Sequence, residues 1–126
     1  RRRGSGIMFS NFTKGDTVTY NVTWSAPGGG ALDLTGHTLY MTLKTSLALA
    51  DNAPLPDALQ ITGTITGDPT NGAGSFLFAS DQTKQLTAGA KYFYDVQVHD
   101  DSVPPVVSTT ENGTVTVVAD VTTTDA

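Results

Sequence analysis

The sequence predicts an all-β domain, an antiparallel β-sandwich of about seven strands with one short helical turn near residues 80–86. Three observations lead there. Apolar and polar residues alternate with a period of two through residues 17–25, 38–45 and 91–99. Each such segment therefore has one face for a core and one for water. Turns rich in Gly, Pro, Asn and Asp recur between short β-prone runs, and no segment carries a sustained helical period; that pattern belongs to sandwiches. A partly open barrel is the competing architecture.

Taken in order, residues 14–17 (KGDT) introduce the clearest strand, TVTYNVTWS. Val18, Tyr20, Val22 and Trp24 face one way, and Thr17, Thr19, Asn21 and Thr23 the other. The APGGG run at 26–30 breaks it, as Pro and Gly together do. A turn at Asp33-Leu34-Thr35-Gly36 feeds the next strand, in which Leu39, Met41 and Leu43 alternate with Thr38, Tyr40, Thr42 and Lys44. Residues 46–57 form a long connection; Pro54 and Pro56 preclude a regular ladder there, and residues 47–50 suit a short helical turn. Leu59, Ile61 and Ile65 mark a third strand, with Gly63 a bulge or a point of close approach.

Residues 67–72 form a turn, and residues 74–79 return as a strand with Phe76 and Phe78 on one face and Leu77 on the other. Residues 80–86 read as one helical turn, N-capped by Ser80 or Asp81 and ended near Gly89. In the run KYFYDVQVH, Tyr92, Tyr94, Val96 and Val98 oppose Phe93, Asp95, Gln97 and His99. A turn at 100–105, a short strand at 106–109, a second turn at 111–113 and a closing strand at 114–120 complete the pattern, with Val115 and Val117 inward. Trp24, Tyr94, Phe76 and Phe78 are the expected core anchors.

At 126 residues the chain is expected to hold one domain, over residues 8–120. Residues 1–7 (RRRGSGI) read as a vector-derived remnant ahead of Met8, and the Thr-rich residues 121–126 as a frayed, flexible tail. There is no cysteine, which excludes disulfides and thiolate metal sites. The formal charge is −5; without the three arginines, four lysines face twelve acids, 4 − 12 = −8. Such a surface repels phosphate backbones, so no nucleic-acid partner is expected. No apolar run approaches the roughly 20 residues of a membrane span, and no signal-peptide pattern is present, so no membrane partner is expected either.

Catalytic chemistry is hard to find. His37 and His99 are the two histidines, and Ser75, Ser80 and Ser108 lack the strand–turn–helix setting of a nucleophile elbow. His99 reads as a solvated edge histidine, with Asp95 on the exposed face of the same strand. Glu111 is the sole glutamate and is expected in a turn without an aromatic subsite around it. Gly28-Gly29-Gly30 lacks the lysine and helix of a phosphate loop and reads as a hairpin tip. The acids at 100–101 and the 68–71 loop supply oxygen atoms but no EF-hand spacing. No enzyme, cofactor or metal site is expected. Tyr40, Phe93 and His99 are the candidate ligand or partner contacts, the two aromatics because exposed rings stack on sugars.

The KGDT-led strand, the Leu32-Asp33-Leu34-Thr35-Gly36 turn with its strand through Leu43, the YFYDVQV strand and the closing GTVTVVADVT together resemble the immunoglobulin-like domains of tailed-phage virion proteins, notably the N-terminal domain of the baseplate upper protein family. The resemblance covers about residues 12–122. It implies an immunoglobulin-like sandwich and a non-enzymatic structural or assembly role in a virion, at the tail, baseplate, head–tail junction or capsid surface. Implied partners are other virion proteins, with room for a homo-oligomer in a symmetric assembly, and no catalytic residues are carried over. Family members continue into further segments, whereas this sequence stops at Ala126, which suggests a small virion component made in a bacterial cytoplasm. The alternative is a carbohydrate- or host-surface-binding module.

Overall fold

The computed structural model describes Phe9 and residues 11–50, 53–102, 104 and 106–119; the expected remnant at 1–7 and tail at 121–126 lie outside them. The strands are β1 (Phe12–Thr13), β2 (Val18–Thr23), β3 (Thr38–Lys44), β4 (Ala58–Thr62), β5 (Thr64–Ile65), β6 (Ala73–Phe78), β7 (Lys91–His99) and β8 (Val107–Val118). They form a five-stranded sheet, β1-β8-β7-β3-β4, and a three-stranded sheet, β2-β6-β5. Neighbours are antiparallel except β1, which lies parallel to β8. The expected all-β sandwich is the fold.

The period-two residues meet between the sheets. Leu39, Met41 and Leu43 of β3, Tyr92, Tyr94 and Val96 of β7, and Val115 and Val117 of β8 face Tyr20, Trp24, Phe76 and Phe78, all buried. The four expected anchors are thus in the core, joined by Phe9, whose ring lies 5.2 Å from Tyr20 and 5.3 Å from Phe78. At the start of β7 the Tyr92 hydroxyl accepts from the Thr87 N–H at 2.9 Å and donates to the Pro56 carbonyl at 2.7 Å. The two bonds pin the approach to β7 against the segment before β4.

Three details differ from expectation, and the choice left open at Gly63 is resolved. The third strand splits: β4 belongs to the large sheet and β5 to the small one. Gly63 sits at the crossing, where a Cβ would lie 2.7 Å from Phe76 Cε1 and 2.9 Å from Leu39 Cβ; close approach, not a bulge, explains the glycine. Residues 107–118 form one strand instead of two strands and a turn. The register shift opposite Val96/Gln97 makes Thr110 an extra residue, a β-bulge that absorbs the Glu-Asn-Gly segment. The helical turn α1 (Ser80–Thr83) has Ala79 as its N-cap, with the Gln82 side chain accepting from the Ala79 N–H at 3.1 Å. Buried Thr83 ties this turn to the 14–17 loop, donating to the Asp16 carbonyl and accepting from the Gly15 N–H.

Candidate functional site: the outer face of the five-stranded sheet

Pairing register determines what the large sheet turns away from the core. Across β3, β7 and β8 the outward rows run Lys44–Phe93–Thr114, Thr42–Asp95–Asn112, Tyr40–Gln97–Thr109 and Thr38–His99–Val107. Because directly opposed residues share a face, Tyr40, Phe93 and His99 all lie on this one surface. They divide into two places. Tyr40 and His99 meet edge to face with ring centroids 4.6 Å apart, and His99 Nε2 lies 3.1 Å from Gln97 Oε1. Phe93 is four residues further along the strands, about 13 Å away at 3.3 Å per residue.

His99 therefore does not sit at a solvated edge. β7 is the middle strand of the sheet, and the imidazole is half-buried between Tyr40 and Gln97. Asp95, expected on an exposed face, is likewise half-buried. The other histidine behaves as its turn position suggests: His37 Nδ1 lies 3.0 Å from the Thr35 carbonyl.

Around Phe93 the sheet hollows into a groove of about 470 Å³, lined among others by Lys44, Phe93, Asp95, Asn112 and Thr114. Leu47, just after β3 and 71 % exposed, borders it, and Lys44 Nζ donates to the Leu49 carbonyl at 2.9 Å, clamping the 46–57 connection to the sheet. Thr42 at the floor is buried and accepts from Gln60 Nε2 at 3.2 Å. Lys91 Nζ lies 5.6 Å from the Phe93 ring centroid, a cation–π contact that orients the ring. One aromatic ring, a lysine, a carboxylate, an amide and several hydroxyls can stack on a ligand ring and hydrogen-bond its rim.

Lys44, Asp95 and Asn112 are the groove residues that sequence reasoning missed. The available signal was Asp95 itself, a charge between aromatic and β-branched neighbours within a strand. Glu111 was also misplaced. It lies in β8 on the inward side, where Oε2 accepts from the Tyr20 hydroxyl at 2.7 Å and the Tyr94 hydroxyl at 3.0 Å. Next to it Thr110 Oγ1 accepts from Trp24 Nε1 at 2.9 Å. These bonds staple the two sheets together and leave Glu111 a structural part.

The acidic loops are organised locally. Asp33 accepts from the Thr35 N–H and hydroxyl, Asp68 from the Thr70 N–H and hydroxyl, and Asp100 from the Val106 and Ser102 N–H groups. These hydrogen bonds hold all three carboxyls below the usual aspartate range. Among the described residues no three His, Asp or Glu side chains gather where they could hold a metal ion. Gly28-Gly29-Gly30 forms a hairpin tip closed by the Ser25–Ala31 bridge. No helix among the described residues is long and apolar enough to cross a membrane. Neither a scan against protein-family models nor a search of curated proteins finds a match to this chain.

Proposed function

We propose that this chain is a non-enzymatic structural or assembly protein of a tailed-phage particle, working through protein–protein contacts made by the outer face of the large sheet. The motif resemblance supplies the phage setting. The observation that favours contact over catalysis is the use of the polar groups: Glu111 links Tyr20 and Tyr94, His99 packs on Tyr40 and Gln97, and His37 closes its own turn. What faces outward is a broad, mixed polar and aromatic sheet surface, a surface for binding. Mass spectrometry of purified particles from the phage that encodes the chain should find it at structural copy number. Its absence from particles refutes this reading.

The groove favours a second reading, a carbohydrate-binding module. A pyranose would stack on Phe93 and present hydroxyls to Asp95 and Asn112, while Tyr40, about 13 Å away, would serve a different sugar unit of a chain. A glycan array should then give hits that Phe93→Ala abolishes. No signal above background refutes it.

A further inference from the structure

Every sheet has edges, and natural edges are blunted by bulges, prolines, charges or shortness. Among the described residues three of the four sheet edges follow that rule. β1 has two residues and β8, uncovered beyond it, carries the Thr110 bulge; β4 is bounded by Pro54, Pro56 and the sheet change at Gly63; and β5 has two residues. β2 differs. Val18–Thr23 is six residues long, has no charge, proline or bulge, and pairs with β6 on one side and with no described residue on the other.

Hydrogen-bond parity shows which groups this edge offers. Thr66 N–H donates to the Ala73 carbonyl, so the odd residues of β6 face β5 and its even residues face β2. Trp24 N–H donates to the Gly72 carbonyl at 2.7 Å in the same register. Val18, Tyr20 and Val22 thus bond to β6, and the N–H and C=O groups of Thr19, Asn21 and Thr23 point out of the sheet edge. All three residues are exposed.

We propose that this edge pairs with the same edge of a second copy, antiparallel, about a two-fold axis at Asn21. Only registers pairing odd with odd residues keep the core face on one side, and this one also aligns the outward-pointing groups. Thr19 then opposes Thr23 of the other copy and Asn21 opposes its own mate. Each pair exchanges two backbone hydrogen bonds, and Thr–Thr and Asn–Asn neighbours add side-chain contacts without bringing like charges together. The two small sheets become one of six strands. This deepens the assembly reading by naming a partner, yet it stands or falls on solution behaviour of the isolated protein, whatever particle analysis returns.

Sedimentation of the full chain should show a concentration-dependent dimer. Asn21→Pro removes an N–H that the intramolecular ladder does not use, so the variant should stay folded by circular dichroism and sediment as a monomer. Asn21→Lys, which sets two like charges on the axis, should do the same and serves if the proline variant fails to fold. The chain has no cysteine, so Asn21→Cys places one thiol per copy where Cα atoms lie about 5.5 Å apart, within disulfide range. It should form covalent dimer on air oxidation at least about tenfold faster than Thr62→Cys on the β4 edge. A monomer at all concentrations, a dimer that Asn21→Lys leaves intact, or equal oxidation of the two cysteine variants overturns the proposal. So does slow amide exchange at Thr19, Asn21 and Thr23 in the monomer, which would show that the chain's own residues cover the edge.

Discussion

Removing the Glu111 carboxylate tests whether the two sheets are joined by a polar staple or only by apolar packing. In the folded protein one oxygen, Oε2, accepts from two tyrosine hydroxyls on different sheets, at 2.7 Å from Tyr20 and 3.0 Å from Tyr94. Both tyrosines are buried, at 6 % and 4 % exposure. A hydrogen bond to a charged group contributes about 1.5–3 kcal/mol, and a buried hydroxyl that loses its partner costs about 1–3 kcal/mol. Glu111→Ala loses both bonds at once and leaves a small cavity, so about 3–5 kcal/mol is expected. Glu111→Gln keeps a neutral acceptor and should cost about 1–2 kcal/mol. Urea unfolding followed by Trp24 fluorescence measures both, and the m-value should stay constant if only the native state changes. Tyr20→Phe removes one of the two bonds, so a Glu111→Ala/Tyr20→Phe cycle should show coupling of about 1 kcal/mol or more. A Glu111→Ala cost below about 1 kcal/mol, or additive single effects, would refute the staple.

Tyr92→Phe strips the Thr87 N–H and the Pro56 carbonyl of their shared partner and should cost about 1.5–3 kcal/mol in the same unfolding assay. Gly63→Ala drives a Cβ to within 2.7 Å of Phe76 Cε1, an overpacking expected to cost about 1–3 kcal/mol. Gly29→Ala meets nothing within 4 Å and should cost only about 1 kcal/mol for its positive φ. Asp100 is held below the usual aspartate range first by the Val106 N–H and then by the Ser102 N–H. A depressed carboxyl stabilises the fold above its unfolded pKa and loses that contribution as pH falls through the folded value. The Val106 and Ser102 amide resonances should accordingly shift only on acidification below the ordinary aspartate range, and Asp100→Asn should abolish that transition.

Legibility followed the physical source of each feature. Strands β2, β3, β6 and β7 were readable because a two-residue period with one wet face is a local pattern, and their anchors Trp24, Phe76, Phe78 and Tyr94 lie in the core. β8 was misread as two strands because Asn112-Gly113 ordinarily marks a hairpin. Here tertiary bonds from Tyr20, Tyr94 and Trp24 hold the Thr110–Glu111 bulge extended, and no local pattern reports them. β1 escaped notice because two residues paired in parallel have no period to detect. For the site, alternation put Phe93 and His99 on one face of β7 and Tyr40 on the polar face of β3, and only the register shows that these faces are the same surface. The groove needed cross-strand register: Lys44, Asp95 and Asn112 become neighbours only when β3, β7 and β8 align.

Register also links the proposed dimer to the candidate binding face. A two-fold axis through Asn21 stands perpendicular to the small sheet, because core-facing residues of β2 must stay on one side of the joined sheet. Both large sheets then lie on that same side, and their outer faces, each with its groove, point in one direction apart from sheet twist. A monomer presents the groove once, whereas such a dimer would set two grooves against a flat array of identical ligands. The second contact becomes intramolecular and raises apparent affinity by about 10²–10⁴ if the spacing of the array matches. This separates two roles for the same polar surface. If Asn21→Lys weakens binding to a multivalent surface but not to the soluble monovalent ligand, edge and groove act together. If both fall equally, the substitution has disturbed the groove itself, and the two surfaces are not independent as the fold implies.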